Sequence, residues 1–311
     1  MVTRLRSTGI CRGRCMFRKW SRPSLLAILF VASVSAIGQA QQVTHVHPAC
    51  LTPGQSQRVT LFGSGLTNVT QLWTSFTAKA TRAPDVAPAD GTVAFDLVVD
   101  TSVPVGIHGL RAVGEVAMSE LKLVVVDTLP RSVETGNNVA ASPQKLAIPF
   151  AVSGFILPEE TDYYLVDAVA GQRVTIEVVG HRLGTPFDPL VRIVAPDGRE
   201  FLTHDNDDGF DYDFRFPVTF PVAGPYRIEV RDARYQGGLW PYVLRVGDFP
   251  AVRVAYPTAP KEGELVALLG PGSRDIAPVV NDAAATLGPA RSLSVTGSQG
   301  STWVTISSEP N

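Results

Sequence analysis

Helical periodicity is almost absent from this sequence beyond residue 40, which turns the reading away from helical folds. Cysteine is scarce: there are three, Cys11, Cys15 and Cys50. The five histidines, His45, His47, His108, His181 and His204, are scattered. No His-Glu-x-x-His motif is present for zinc hydrolysis, and no Gly-x-Ser-x-Gly elbow for an activated serine. Gly63-Ser-Gly65 lacks the helix and lysine of a phosphate-binding loop. After residue 22 there is no basic run, so the clustered cations that nucleic acid or anionic lipid would need are missing. No apolar run is long enough to span a bilayer, which takes roughly 20 residues. These absences argue against an enzyme, a nucleic-acid binder and an integral membrane protein.

The cations that do cluster lie at the start. Arg4, Arg6, Arg12, Arg14, Arg18, Lys19 and Arg22 precede a run of about 13 apolar residues, Leu25 to Ile37, and then Gly38-Gln39-Ala40. A basic segment, a short apolar run and small residues at a cleavage position read as a secretory signal at 1–40. No adjacent Arg-Arg pair marks a twin-arginine signal, and no cysteine follows the run to take a lipid. The formal net charge is −2, and removing these seven cations leaves about −9 on the mature chain. Such charge suits solubility and a divalent cation. Cys50 is then the one cysteine left. It is either a buried small apolar residue or half of an intermolecular bond.

The mature region consists of short alternating runs of Val, Ile, Leu, Phe and Tyr between Gly, Pro, Asp and Asn, the pattern of antiparallel strands in a sandwich or barrel. Examples are 58–62, 93–98, 121–126, 174–178 and 226–230. Period two sends one set of side chains inward and the other toward solvent in each. A polar stretch at 128–143, with Gly136-Asn137-Asn138 in its middle, reads as a linker, and a second break lies at Gly247-Asp248-Phe249-Pro250. The expected parts are a first module at 43–127, a second at 144–248, and a tail at 251–311. The tail repeats the opening of the first module. Val43-Thr-His-Val-His-Pro48, Gly54 and Val59-Thr-Leu-Phe-Gly63 correspond to Val252-Arg-Val-Ala-Tyr-Pro257, Gly263 and Val266-Ala-Leu-Leu-Gly270. It is either a complete small module or the front of one that continues in a longer product.

Residues 144–248 resemble the bacterial pre-peptidase C-terminal domain, a jelly-roll-like β-sandwich found beside secreted peptidases and in other exported proteins. The resemblance is carried by Asp162-Tyr-Tyr-Leu-Val-Asp167, Gly184-Thr-Pro-Phe-Asp-Pro-Leu190, Pro196-Asp-Gly198, Asp205-Asn-Asp-Asp208, Asp213, Gly224-Pro-Tyr-Arg-Ile-Glu-Val230 and Tyr242-Val-Leu-Arg-Val246. The first module is similar to immunoglobulin-like domains of the transcription-factor-immunoglobulin kind, through its Pro…Gly…Val-Thr-Leu-Phe-Gly-Ser-Gly-Leu pattern. The whole arrangement resembles large envelope proteins of planctomycete-like bacteria. The resemblance implies an all-β chain of tandem sandwiches after a signal peptide.

The sharpest chemical feature is the run His204 to Asp213, in which Asp205, Asp207, Asp208, Asp211, Asp213 and Asn206 fall within nine residues with no cation before Arg215. Crowded carboxylates repel, and calcium, with six to eight oxygen ligands, would neutralise them. Asp162 and Asp188 could add ligands from other strands. The spacing is not an EF-hand, because Gly209 falls where that loop needs an oxygen. The competing reading is a solvated turn in which Asp213 pairs with Arg215 or caps a turn. His45 and His47, two apart on one strand face, would make half of a metal site or ordinary packing. Tyr226 reads as a core or corner tyrosine. Trp73, Trp240, Trp303, Tyr163, Tyr212 and Tyr235 are candidate sugar-stacking rings, with packing as the other reading.

The expected function is therefore a non-catalytic binding or structural module, exported to the periplasm, cell surface or medium. Its role would be adhesion, spacing or attachment to a protein or polysaccharide. The alternatives are the accessory region of an exported hydrolase and a carbohydrate-binding module.

Overall fold

Turn residues at short intervals cut the chain into strands, and almost nothing else forms. The computed structural model describes residues 41–307 apart from 116, 262, 272–276 and 281–289. The expected signal segment at 1–40 lies outside the described residues. No α-helix occurs among the described residues, and none of their helical segments is long and apolar enough to cross a membrane. The chain is a series of β-sandwich modules.

The first sandwich uses β1 (Gln42–His47), β2 (Cys50–Leu51), β3 (Ser56–Ser64), β4 (Val69–Thr74), β5 (Ala78–Arg82), β6 (Thr92–Val99), β7 (Gly106–Gly114) and β8 (Lys122–Val126). Its sheets run β1-β3-β6-β5 and β2-β8-β7-β4. Period-two alternation sends Val59 and Leu61 of β3 inward, against Phe95 and Leu97 of β6 and Leu110 and Val124 of the facing sheet. Each such side chain, fully buried, contributes roughly 1.5–3 kcal/mol.

The second sandwich uses β9 (Arg131–Val133), β10 (Gln144–Lys145), β11 (Phe150–Ile156), β12 (Thr161–Ala168), β13 (Arg173–Val179), β14 (Pro189–Val194), β15 (Glu200–His204), β16 (Phe214–Thr219), β17 (Gly224–Asp232) and β18 (Trp240–Gly247). Its sheets run β10-β12-β17-β14-β15 and β16-β13-β18-β11-β9. Strand β9, within the stretch read as a linker, adds a parallel edge to β11. Tyr226 sits in this core with its hydroxyl donating to Val222 O at 3.1 Å. Trp240 packs against the same core, half-buried.

The last segment has β19 (Val254–Tyr256), β20 (Leu265–Leu269), β21 (Val279–Val280), β22 (Ala290–Gly297) and β23 (Gly300–Ser307), as a three-stranded sheet and a hairpin. It repeats local devices of the first sandwich. The antiparallel pairs β1–β3 and β19–β20 correspond, Gly54 and Gly263 have φ of +73° and +77°, and the His47–Pro48 and Tyr256–Pro257 bonds are both cis. Gly63 and Gly270 also match. A Cβ on Gly63 would stand 1.8 Å from Gln42 O, and one on Gly270 2.3 Å from Ala251 O, so each strand pair closes only over a bare α-carbon.

The expectation that half of each strand faces solvent fails for the central strands of the second sandwich. On β13, Val174, Ile176 and Val178 enter the sandwich core, yet Thr175, Glu177 and Val179 on the opposite face are also buried. That outer face is covered by the rest of the molecule. Ala49, Cys50, Val105 and Val125 of the first sandwich, Ala151, Val179 and Val243 of the second, and Trp303 of β23 form one apolar cluster between them. The described residues accordingly group as one unit. Cys50 is fully buried in this cluster, and burial pushes its thiol far above the ordinary range.

Gly63→Ala and Gly270→Ala are each expected to lower stability by about 1–3 kcal/mol through forced strand displacement. Gly91→Ala, where the nearest atom lies 3.8 Å away, should leave the urea midpoint unchanged. Equal midpoints for all three variants would show that the close approaches do not constrain the strands.

Candidate functional site

Three strands place charge on the outer face of the second sandwich. The register sets Glu177 of β13 opposite Arg215 of β16 on one side and Arg245 of β18 on the other. All three side chains are completely buried. Arg215 Nη2 donates to Glu177 Oε1 at 2.7 Å, Arg245 Nη1 donates to Glu177 Oε2, and Arg182 Nη2 donates to Oε1 at 2.8 Å. Arg245 also pairs with the buried Asp127 at the end of the first sandwich. Two further guanidinium nitrogens reach the last segment: Arg215 Nη1 donates to Trp303 O at 2.9 Å, and Arg245 Nη2 to Ser301 O at 2.5 Å, while Arg215 Nε is buried without a hydrogen-bond partner among the described residues. The Trp303 ring lies over both, with centroids 5.0 Å and 4.8 Å from the guanidinium carbons.

Burial alone would raise Glu177, but Arg215, Arg245 and Arg182 outweigh it and hold the carboxyl well below the usual range. Arg215 is lowered to about 10 by burial, with Glu177 opposing and the neighbouring arginines adding to the shift.

The acidic loop closes one side of this cluster. Asp213 caps the short 3₁₀ turn His181–Leu183: Oδ1 accepts from Gly180 N at 3.0 Å and His181 N at 2.7 Å, and Oδ2 accepts from Arg182 N and Nε at 3.1 Å and 2.8 Å. Asp213 therefore pairs with Arg182 rather than Arg215. Asp207 accepts from Arg215 N at 2.8 Å, faces His204 Nε2 at 3.1 Å and pairs with Arg253. Phe210 between them lies under Arg182 and Arg215, at 4.3 Å and 4.7 Å. Asp205, Asp208 and Asp211 are exposed. The five carboxylates thus do not converge: two are taken by the protein's own cations and three meet water. Among the described residues no group of three or more His, Cys, Asp and Glu is placed to hold a metal ion.

Asp162 lies elsewhere, buried on the same face of β12 as Tyr164 and Val166. Tyr242 Oη donates to its Oδ2 at 2.6 Å, and the Tyr164 and Tyr242 hydroxyls are 2.6 Å apart. Burial pushes Asp162 up to about 8 and Glu134, beside it, up to about 7. Glu134 Oε2 is buried without a hydrogen-bond partner, in space left by Gly154, whose Cβ would stand 2.5 Å from it. Among the described residues no cation compensates this pair in the way that arginines compensate Glu177. Asp188 pairs with Arg234 at 3.3 Å. His45 and His47 pack on Phe155, with ring centroids 5.2 Å and 5.1 Å away, and burial lowers both. Trp303 is buried at the junction, whereas Trp73, Tyr212 and Tyr235 are exposed.

No family model matches the sequence, and no curated protein does. Solved structures do match. One is the pre-peptidase C-terminal domain of a collagenase from Bacillus anthracis, at 16% identity and TM-score 0.28, over 35% of this chain and 99% of that one. Another is PliG from Aeromonas hydrophila, a periplasmic inhibitor of g-type lysozyme, at 18% identity and TM-score 0.27, over 38% and 97%. A third is a Bacteroides ovatus protein of a mixed-linkage glucan utilization locus, at 11% identity and TM-score 0.24, over 61% and 73%. Likenesses this distant carry no functional assignment.

Glu177→Gln should cost about 3–5 kcal/mol, the scale for stripping one partner from a buried ion cluster. Arg58→Ala, which breaks exposed pairs with Asp85 and Asp96, should cost under about 1 kcal/mol. A depressed carboxyl stabilises the fold above the unfolded pKa, and that stabilisation is lost as pH falls through the folded value. Acid unfolding should therefore be less pH-dependent in Glu177→Gln. Equal urea midpoints for the two variants would remove the cluster from its central role.

Calcium is tested by thermal melts in calcium and in chelator. A calcium-dependent rise that Asp162→Asn abolishes assigns the ion to the Glu134–Asp162 pair, and one that Asp208→Asn/Asp211→Asn abolishes assigns it to the loop. No rise in the wild type removes calcium from both.

Proposed function

We propose that this chain is an exported, non-catalytic binding and spacing module of the bacterial cell envelope, in three parts at 43–127, 144–248 and 251–311. It holds a binding surface at a set distance and orientation from its neighbours and attaches to an extracellular polysaccharide or protein. The observation that carries this reading is the buried Arg215–Glu177–Arg245 cluster, whose hydrogen bonds reach all three parts. Flexibly tethered domains do not need such a junction, because interfaces that permit relative motion are small and wet. A spacer that transmits orientation does need it.

The ionised groups of the cluster are matched in structural pairs. Arg215 and Arg245 share Glu177, Arg245 adds Asp127, Arg182 adds Asp213, and Arg253 takes Asp207. A general acid or base needs a pKa near the working pH and reach to a substrate, and Glu177 has neither. Within the cluster, binding is accordingly favoured over chemistry.

The test is co-sedimentation of the protein with bacterial envelope, cellulose, chitin and collagen, in calcium and in chelator, alongside assays on peptide and glycoside substrates. Pelleting with one material and no turnover supports the proposal. Turnover of either substrate class, or failure to pellet with all four, overturns it.

A further inference from the structure

At the junction a cavity of about 410 Å³ opens between the acidic loop, β7 and the last segment. It is within the size range of small-ligand sites, which favour interfaces between domains. Its lining includes Arg182, Arg253, Phe210, Trp303, Ser292 and Thr305, and contains no Asp or Glu among the described residues. In a chain with an excess of carboxylates this is a local reversal. The reversal follows from the ion pairing. The acids that neutralise these arginines, Glu177, Asp213 and Asp207, lie behind them and are almost fully buried.

Each arginine uses only part of its fork on the protein. Arg182 spends Nε and Nη2 on Asp213, Glu177 and Val178 O. Arg253 spends Nε on Arg215 O and Nη2 on Asp207. Nη1 of both is left without a protein acceptor among the described residues. Their side chains retain 14% and 19% of their accessibility. Two guanidinium edges held in place by buried acids are a preorganised receptor for a planar anion, which arginine binds through paired N–H donors. The hydroxyls of Ser292 and Thr305 suit a hydroxylated ligand, beside the buried rings of Phe210 and Trp303, which stack on the guanidiniums.

We propose that this cavity binds a carboxylate-bearing sugar, a hexuronic acid residue, with the carboxylate on Arg182 and Arg253. The assignment rests on the binding-module reading and names the ligand class for it.

Isothermal titration with galacturonic acid, its trimer and polygalacturonate, against glucose and a neutral glucose trimer, tests the proposal. Acidic sugars should bind at least about tenfold more tightly than neutral ones, with an affinity that falls as salt rises. Monomer binding identifies a free sugar acid as sufficient, and binding confined to trimer and polymer identifies a chain segment; either supports the site. Arg253→Gln should lose about tenfold or more. Because Arg253 also pairs with Asp207, a second variant guards against misfolding. Thr305→Trp, at an exposed β23 position, fills the cavity and leaves every arginine pair intact. It should abolish binding with an unchanged circular dichroism spectrum.

Equal affinity for neutral sugars, no heat at millimolar galacturonate, or unaltered binding in Thr305→Trp would each overturn the assignment. If uronate fails to bind but the protein still pellets with one of the four materials, the binding module stands and this cavity falls. If uronate binds but nothing pellets, the cavity stands and the envelope role falls.

Discussion

A carboxylate buried among guanidiniums, far from water, sets the terms for the rest of this molecule. Glu177 cannot be dehydrated alone, because an unpaired charge in a low-dielectric interior costs several kcal/mol. Arg215 and Arg245 stand beside it because strand register puts them there, and they carry charge and hydrogens in excess of what one carboxylate absorbs. Asp127 answers part of that excess from the first sandwich. The carbonyls of Ser301 and Trp303 answer more from the last segment. Donors left over on one sheet thus find acceptors on other parts of the chain, Arg215 Nε excepted. The apolar cluster around Cys50, Val179, Val243 and Trp303 surrounds this polar centre and keeps water out.

Ion clusters of this kind are rarely the most stabilising filling for a buried interface, and apolar replacements often equal or exceed them. What they add is geometric demand. A planar fork accepts few orientations of its partner, whereas two apolar faces slide with little penalty. For a molecule that holds one part at a fixed attitude to another, that selectivity matters more than raw adhesion. The acidic loop belongs to the same arrangement. Asp207 and Asp213 fix Arg253 and Arg182, and Phe210 fills the space beneath two guanidiniums.

Much of the fold was legible in the sequence. Alternation at Val174, Ile176 and Val178 and at Tyr226, Ile228 and Val230 identifies core-facing sides correctly, since period two is a local property. The interface side was not legible in the same way. Glu177, Arg215 and Arg245 occupy positions where charge ordinarily means solvent, and only their apolar neighbours Val179 and Val243 on the same face hint at a second cover. The density of carboxylates between Asp205 and Asp213 signals a need for positive charge. It does not say that arginines of the same chain supply it, because Arg182 and Arg253 are distant in sequence. The pair Glu134 and Asp162, 28 positions apart by number, is invisible for the same reason.

The charged face has a consequence for biogenesis. The middle sandwich precedes the last segment in the chain, so during synthesis it exists for a time without Trp303 and its neighbours in place. An apolar docking face would then be a sticky one, open to mispairing in a crowded compartment. A face bearing Glu177, Arg215 and Arg245 holds water until its partner segment arrives. Ions that lock the finished molecule also keep the unfinished one in solution.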